Sequence, residues 1–155
     1  MSLGADPEAT GVPTPIAESS DADYLQYARS KGVAVVIAAG NERDNPKTIQ
    51  PGEPAFQAAN GLGIAVGAID TQRKIADFSN PVGNAQKKYP YVVAPGVNVQ
   101  STLPNGKYDS MNGTSMATPH MAGVLALLKQ ANPTLTPAQL ESIVTATANR
   151  AGITV

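Results

Sequence analysis

One eleven-residue stretch, residues 113–123, constrains the fold of this chain more than any other part of the sequence. It reads Gly-Thr-Ser-Met-Ala-Thr-Pro-His-Met-Ala-Gly. The small, flexible pair Gly113-Thr114 is thus followed directly by Ser115 and by a helix pattern of small apolar residues. Such a helix can pack closely, and further apolar residues after it favour burial on all sides. A hydroxyl at a helix N-terminus lies where unpaired N–H groups and the helix dipole stabilise developing negative charge. The stretch therefore predicts a buried helix whose first turn carries a nucleophile, with a simple helix-capping Ser as the alternative.

A second segment has the pattern of a strand that is buried on both faces of a parallel sheet. Residues 33–39 form a continuous apolar run, which is followed by Gly40, Asn41 and Glu42. In α/β folds, binding and catalytic groups lie at the carboxyl ends of such strands. Asn41 is therefore a candidate functional side chain, although a Gly-Asn pair also suits an ordinary turn.

The rest of the chain alternates between strand and helix patterns. Helices are expected at residues 21–31, 115–130 and 137–147. Further strands are expected at residues 63–69, 91–94 and 97–103. Thr136 and Gln139 form a capping-box signal for the last helix, and Asn105-Gly106 signals a hairpin turn. This alternation predicts one α/β domain with a parallel sheet, in which residues 1–20 form a loop or a poorly ordered end.

Composition excludes several classes of function. A net charge of −1 gives no basis for binding nucleic acid or an anionic membrane. No apolar run approaches the roughly 18 residues of a membrane-spanning helix. The absence of Cys excludes disulfides, thiol chemistry and a thiolate zinc site. There is no dense carboxylate loop of the EF-hand type.

Taken together, these motifs resemble the subtilisin family of serine proteases, the subtilases. Residues 113–123 resemble the family's nucleophile segment, and residues 33–42 resemble the strand whose Asn donates its amide to the oxyanion. Other segments follow in the family's order: residues 63–70, 78–80, 93–96, 100–103 and 132–140. The resemblance implies an α/β, parallel-sheet, three-layer subtilisin-like fold that is incomplete at both ends.

The resemblance also implies roles for individual residues. Ser115 would be the nucleophile of a serine endopeptidase that hydrolyses peptide bonds through an acyl-enzyme, and Asn41 would form the oxyanion hole. The polypeptide substrate would be contacted by Ser2, Leu3, Gly4, Gly40, Glu42 and Thr114. No cofactor is implied for catalysis, whereas a structural calcium ion held in part by Asp70 and Asp77 is left open.

Two of these substrate-contact assignments have direct alternatives. Residues 1–4 would be the edge strand that pairs with substrate backbone, but the first three, Met-Ser-Leu, suit a cloning scar equally well. Glu42 would lie near the mouth of the primary specificity pocket, where it would favour basic or polar groups. A solvated surface Glu at that position explains the sequence as well.

The family's catalytic Asp and His have no counterpart in this sequence. The family order is Asp, His and then Ser, whereas the single His of this chain, His120, follows Ser115 by five residues on the same helix. Five helical steps turn His120 to another face and rise about 7.5 Å, which is too far for direct proton transfer. We therefore expect His120 to be a packed structural residue. Residues 1–155 would be the C-terminal half of a subtilisin-like peptidase domain, with the N-terminal half as partner.

Two functions are consistent with these observations. The first is a serine endopeptidase whose Asp and His are supplied by a segment outside this chain. The alternative is a catalytically dead, truncated subtilase that acts as a binding or structural module. By family resemblance alone, we expect the protein to be extracellular or attached to the cell envelope, as is typical of bacterial members of the family. No signal peptide is visible, which says nothing about secretion.

Overall fold

Three parallel strands form the central sheet of the computed structural model, which describes residues 20–82 and 90–153. The strands are β1 (Val36–Ala38), β2 (Ile64–Ile69) and β3 (Tyr91–Pro95), and they lie side by side in that order. Val36 pairs with Ile64 and Val66 pairs with Val92. All of β1 and all but the last residue of β2 are buried, as expected of strands that are covered on both faces. The predicted parallel sheet is thus confirmed.

Strand β1 is shorter than the apolar run that predicts it. Helix α1 (Ser20–Ser30) ends near Gly32, which has a left-handed φ of 80°, and Val33 still donates its N–H to Ala28 of that helix. Sheet pairing then extends one residue beyond each end of β1, because Val35 O and Ala39 N–H bond to β2. The first residues of the run therefore complete the helix end rather than the sheet.

A separate antiparallel hairpin follows the parallel sheet. It consists of β4 (Val99–Leu103) and β5 (Lys107–Met111), which are joined by a turn in which Asn105 and Gly106 have positive φ. This confirms the hairpin turn. Strand β4 begins two residues later than predicted because Asn98 has a φ of 60°, which interrupts an extended strand.

Two further helices, α2 (Thr114–Ala131) and α3 (Pro137–Thr147), follow the hairpin. The capping box of α3 is present, since the Thr136 hydroxyl accepts the Gln139 N–H while the Gln139 side chain accepts the Thr136 N–H. A short 3₁₀ helix, Ala55–Asn60, lies within the long loop after β1. The candidate edge strand at residues 1–4 and the expected poorly ordered end lie outside the described residues, apart from Ser20.

The side chains of the parallel strands alternate between two apolar clusters, so the described fold has three layers. One face of the sheet packs on α2 and α3 through residues that include Val66, Met121 and Leu140. The opposite face packs on α1 and the 3₁₀ helix through residues that include Ile37 and Leu25. The predicted three-layer α/β arrangement is confirmed.

Helix α2 is buried on one side only, so the predicted burial on all sides is wrong for the described residues. A single stripe faces the sheet, with Thr114, Ala117, Thr118, Met121 and Leu125 buried. Gly123 is exposed, and so is Leu127, at 67%. Among the described residues, only the sheet-facing side of α2 is covered by other elements. The opposite side, which carries small and apolar residues, is not covered by any described element.

Gly67 in the middle of β2 makes room for a side chain from the neighbouring strand. A Cβ at Gly67 would overlap the Tyr91 hydroxyl oxygen and lie 2.8 Å from the Tyr91 Cζ atom. We expect Gly67→Ala to lower the free energy of unfolding by about 1–3 kcal/mol, because a packed strand must shift to accept the methyl group. Urea denaturation followed by circular dichroism would measure the change.

Gly123→Ala is the matched control for this substitution. Nothing lies within 4 Å of a Cβ built at Gly123, which is helical and exposed. We expect this variant to be more stable by up to about 1 kcal/mol, since Ala favours a helix over Gly. Equal destabilisation by both substitutions would show that crowding at Tyr91 is not the cause.

An ion pair between Arg29 and Glu141 links α1 to α3 and is largely shielded from solvent. Burial raises the pKa of the Glu141 carboxyl above its ordinary value of 4.5, although the Arg29 hydrogen bond and charge oppose the rise. A raised pKa in the folded state gives a stabilising contribution that is complete below the unfolded pKa. That contribution is lost as the pH rises through the folded pKa.

We therefore expect the stability of Glu141→Gln relative to the unsubstituted chain to increase as the pH is raised from below 4.5 towards neutrality. Gln cannot ionise, so this variant escapes the cost of a buried carboxylate while it can still accept a hydrogen bond from Arg29. Urea denaturation at a series of pH values would give the difference. A difference that stays constant, or that falls with pH, would contradict a burial-raised pKa.

Candidate functional site

The carboxyl end of β1 meets the amino end of α2 through the side chains of Asn41 and Thr114. Asn41 Oδ1 accepts hydrogen bonds from the Thr114 backbone N–H at 2.8 Å and from the Thr114 hydroxyl at 3.0 Å. The same hydroxyl accepts the Gly40 N–H at 3.2 Å. Thr114 is fully buried, whereas Asn41 is exposed. Since the amide oxygen of Asn41 is turned towards Thr114, its Nδ2 donor group points away from that buried residue.

Ser115 follows Thr114 in the first turn of α2 and is half-buried. The N-cap of this helix is Gly113, so the alternative in which Ser115 only caps the helix does not describe the structure. A Cβ built at Gly113 would lie 3.7 Å from the Ser115 backbone nitrogen and 3.8 Å from Asn41 Oδ1. The Ser115 backbone nitrogen and Asn41 Oδ1 therefore both lie near Gly113, at a helix N-terminus that favours negative charge.

Glu42 and Asn80 hold the backbone on either side of Asn41. Glu42 Oε2 accepts the Asn41 N–H at 2.9 Å and the Asn80 Nδ2 group at 2.7 Å. In return, Asn80 Oδ1 accepts the Glu42 N–H at 2.8 Å. The Glu42 carboxylate is half-buried and is engaged with its neighbours rather than extended into solvent.

Gly40 must be a glycine in this arrangement. Its φ is 105°, and a Cβ there would overlap the Asn80 side-chain nitrogen. The Gly40 carbonyl accepts the Asn80 N–H at 3.1 Å. The close approach of Asn80 to the end of β1 therefore depends on the missing side chain at residue 40.

Asn80 is the residue of this site that the sequence did not identify as functional. It is 1% exposed, and Tyr91 donates its hydroxyl to the Asn80 carbonyl oxygen at 2.8 Å. Burial of this hydroxyl raises the pKa of Tyr91 above its ordinary value. The available signal was the polar pair Ser79-Asn80 between two sheet strands, but it does not indicate which residues Asn80 contacts.

The expectation that His120 is a packed residue is wrong. It is exposed, and its Nδ1 atom donates to the Met116 carbonyl oxygen at 2.9 Å. His120 lies on the part of α2 that turns away from the sheet, which explains its exposure. The three candidate substrate contacts near the start of the chain, Ser2, Leu3 and Gly4, lie outside the described residues.

The two candidate calcium ligands make ordinary local contacts. Asp70 Oδ1 accepts the backbone N–H groups of Gln72 and Lys74, and Asp77 pairs with the Lys74 ammonium at 3.1 Å. Within residues 20–82 and 90–153, no group of three or more His, Cys, Asp or Glu residues is arranged to hold a metal ion. A structural calcium ion is therefore still only a prediction. None of the helices in these ranges is long and apolar enough to span a membrane.

Comparison with known proteins places this arrangement in context. The sequence matches the subtilase family over residues 1–154. It is 41% identical over 152 residues to Subtilisin NAT of Bacillus subtilis subsp. natto. The matched region covers 98% of this chain and 35% of that protein. It is 40% identical to a subtilisin of Bacillus pumilus, covering 98% of this chain and 49% of that one.

Solved structures agree with these sequence matches. A cold-adapted subtilisin-like serine proteinase superposes with a TM-score of 0.72 at 30% sequence identity, covering 99% of this chain and 49% of that structure. Sphericase gives a TM-score of 0.70 at 33% identity. The chain spans between about a third and a half of the length of these curated relatives. With a family match over almost all of its residues, this chain belongs to the subtilase family.

Proposed function

We propose that this chain carries the nucleophile and the oxyanion hole of a serine endopeptidase. The observation that carries the proposal is the pair of hydrogen bonds that hold Asn41 against Thr114, immediately before Ser115. Those bonds hold the amide oxygen of Asn41 against Thr114. In this proposal, the amide donor of Asn41 faces the volume beside the Ser115 N–H. Two donors that converge on one point are what the developing oxyanion of acyl transfer requires.

In this proposal, Ser115 Oγ attacks the carbonyl carbon of the scissile peptide bond and forms a tetrahedral intermediate. The negative oxygen accepts hydrogen bonds from Asn41 Nδ2 and from the Ser115 backbone N–H, while the N-terminus of α2 adds a favourable field. The C–N bond then breaks, the leaving amine takes up a proton, and an acyl ester stays on Ser115. Water hydrolyses that ester in a second round of the same steps.

The proton removed from Ser115 needs a base, and His120 does not supply one. Its Nδ1 atom is engaged by the carbonyl of Met116, and the ring is exposed on the outer part of α2. We propose that the Asp and His of the triad come from the N-terminal half of the same type of domain, a segment outside this chain. That half is the partner on which activity depends, and no catalytic cofactor is needed.

The proposed substrate is a polypeptide, bound beside Gly40, Asn41 and Glu42 and, in the family-like arrangement, along residues 1–4. Thr114 is fully buried, so its contribution would be to orient Asn41 rather than to touch substrate. The relatives come from bacteria such as Bacillus subtilis and Bacillus pumilus. By family resemblance we propose an extracellular or cell-envelope location of the bacterial type here. Neither nucleic acid nor a membrane is a proposed partner, and structural calcium is an open addition.

The second candidate function is a catalytically inactive subtilase module. It is favoured by one observation: the only His in the sequence is His120, which is not placed as a base for Ser115. The two candidates differ in whether an upstream segment completes the site. They are therefore separated by supplying that segment.

We expect the isolated chain to hydrolyse a peptide anilide at no more than ~10⁻⁵ of the rate of an intact subtilase, since loss of the base costs roughly 10⁶ in kcat, a magnitude that comes from a subtilisin. Adding the separately produced N-terminal half of a related subtilisin should restore turnover. In that mixture, Ser115→Ala should abolish it. Asn41→Ala should lower kcat about 10²- to 10³-fold, again a magnitude known from a subtilisin rather than from this geometry.

Two outcomes would contradict the proposal in different ways. Turnover by the chain alone, abolished by Ser115→Ala, would mean that a base lies within these 155 residues. A stable complex of the two halves with no turnover would favour the inactive module. Complex formation is therefore measured in parallel by size-exclusion chromatography with light scattering.

Thr114→Val tests whether the Thr114 hydroxyl orients Asn41. Val keeps the shape of Thr but leaves the Gly40 N–H without its acceptor and removes one donor to Asn41 Oδ1. We expect the variant to lose about 1–3 kcal/mol of unfolding free energy, since a part-buried N–H is left unsatisfied. Thr114→Ser is the control and should keep most of the stability, because it retains the hydroxyl. Equal stability of the Val and Ser variants, measured by urea denaturation, would show that the hydroxyl is not used.

A further inference from the structure

Asn80 is a buried polar residue for which the proposed reaction has no direct use. Its side chain lies between the two ends of the Gly40–Glu42 segment, and each of its two polar atoms makes a bond to Glu42. Its own backbone is fixed at both ends, by its N–H to the Gly40 carbonyl and by its carbonyl to the Tyr91 hydroxyl. Buried polar groups with every bond satisfied hold one conformation, because any other leaves them unpaired.

We propose that Asn80 is a positioning residue for the oxyanion donor Asn41. The expected effect on catalysis rests on the proposed function, whereas the expected effect on the conformation of Asn41 does not. Asn80 fixes Glu42, and Glu42 Oε2 holds the Asn41 backbone N–H. With that backbone fixed, the Asn41 side chain reaches Thr114 in a single orientation.

The chemistry of this position requires an amide. Asn80 Oδ1 accepts the Glu42 N–H while Asn80 Nδ2 donates to the Glu42 carboxylate, so a donor and an acceptor are needed side by side. Asp in place of Asn80 would offer no donor and would place two carboxylates together. Ala would leave both Glu42 groups without partners.

The same contacts assign a second role to Glu42. Its carboxylate oxygen receives two hydrogen bonds from the chain itself, so the charge is held against Asn41 and Asn80. A carboxylate engaged in this way orders the backbone of the oxyanion donor. Glu42 is therefore part of the clamp, here defined as Asn80 and Glu42 together.

Amide hydrogen exchange on the full 155-residue chain tests the clamp without any need for activity. In Asn80→Ala, we expect the Asn41 and Glu42 amides to exchange about tenfold faster or more, the effect of losing one ordinary hydrogen bond. The Thr114 amide, which bonds to Asn41 Oδ1, should accelerate similarly. The Ile64 amide, paired with Val35 in the sheet, should not change.

Ser79→Ala is the matched control, because Ser79 is equally buried and its side chain bonds to the Ala68 N–H at 3.0 Å and to Tyr91 rather than to Glu42 or Asn41. This variant should accelerate exchange at Ala68 and leave Thr114 unchanged. Unchanged exchange at Thr114 in folded Asn80→Ala would overturn the proposal. If Asn80→Ala does not fold, Glu42→Ala removes the other end of the clamp and should accelerate exchange at Asn41 and Thr114, because Asn41 then loses its acceptor.

A rescue experiment separates positioning from general destabilisation. Asn80→Asp alone should accelerate exchange at Thr114, since two carboxylates then face each other. Adding Glu42→Gln supplies an amide donor to the new carboxylate, so the double variant should return exchange at Thr114 towards that of the unsubstituted chain. Failure of this rescue, with both variants folded, would contradict the pairing that the clamp requires.

The catalytic consequence is measured with the chain supplied with a subtilase N-terminal half. There, Asn80→Ala should lower kcat by about tenfold or more with little change in KM, because oxyanion stabilisation acts in the transition state. Ser79→Ala should leave the ratio of kcat to KM near that of the unsubstituted chain. A change in KM alone would overturn the positioning role. If the unsubstituted complex shows no turnover, the proposed function fails. The exchange experiments would still show whether Asn80 and Glu42 hold Asn41 in place.

Discussion

The hydrogen bonds from Thr114 to Asn41 Oδ1 are the contact on which the rest of the site depends. They join two segments that are 73 residues apart in the chain. Parallel pairing of β1 with β2 brings the end of β1 to one edge of the sheet, and packing of α2 on the sheet brings Thr114 to the same place. Neither local segment could orient the Asn41 amide alone, so the geometry of the site is a product of the whole described core.

A continuous hydrogen-bonded path holds the Asn41 backbone in place beside that contact. It runs from the Tyr91 hydroxyl through Asn80 to Glu42 and Asn41, and so connects β3 to the end of β1. Two glycines make the path possible, because a Cβ at Gly40 or Gly67 would occupy the space of Asn80 or Tyr91. Polar groups in a buried region are held firmly when all are paired, since each alternative leaves one of them unsatisfied.

Local signals predicted those parts of the fold that local forces determine. The capping box of Thr136 and Gln139 placed the start of α3, and the Asn105-Gly106 pair placed the hairpin turn. Within residues 20–82 and 90–153, the outer face of α2 was predicted wrongly, because an apolar helix surface does not specify what covers it. Asn80 was missed as a positioning residue since its partner Glu42 lies 38 residues away, a distance over which one sequence gives no pairing signal.

The contacts of Asn41 also separate two requirements of acyl transfer. Its backbone N–H is held by Glu42 and its side-chain oxygen is held by Thr114, and both of these residues belong to this chain. The proposed base, in contrast, comes from elsewhere. Electrostatic stabilisation works best when donors are fixed before charge develops, because no energy is then spent on turning them. If Ser115 and Asn41 act as proposed, the chain holds a preorganised oxyanion site, and the group that removes the Ser115 proton is proposed to come from another segment.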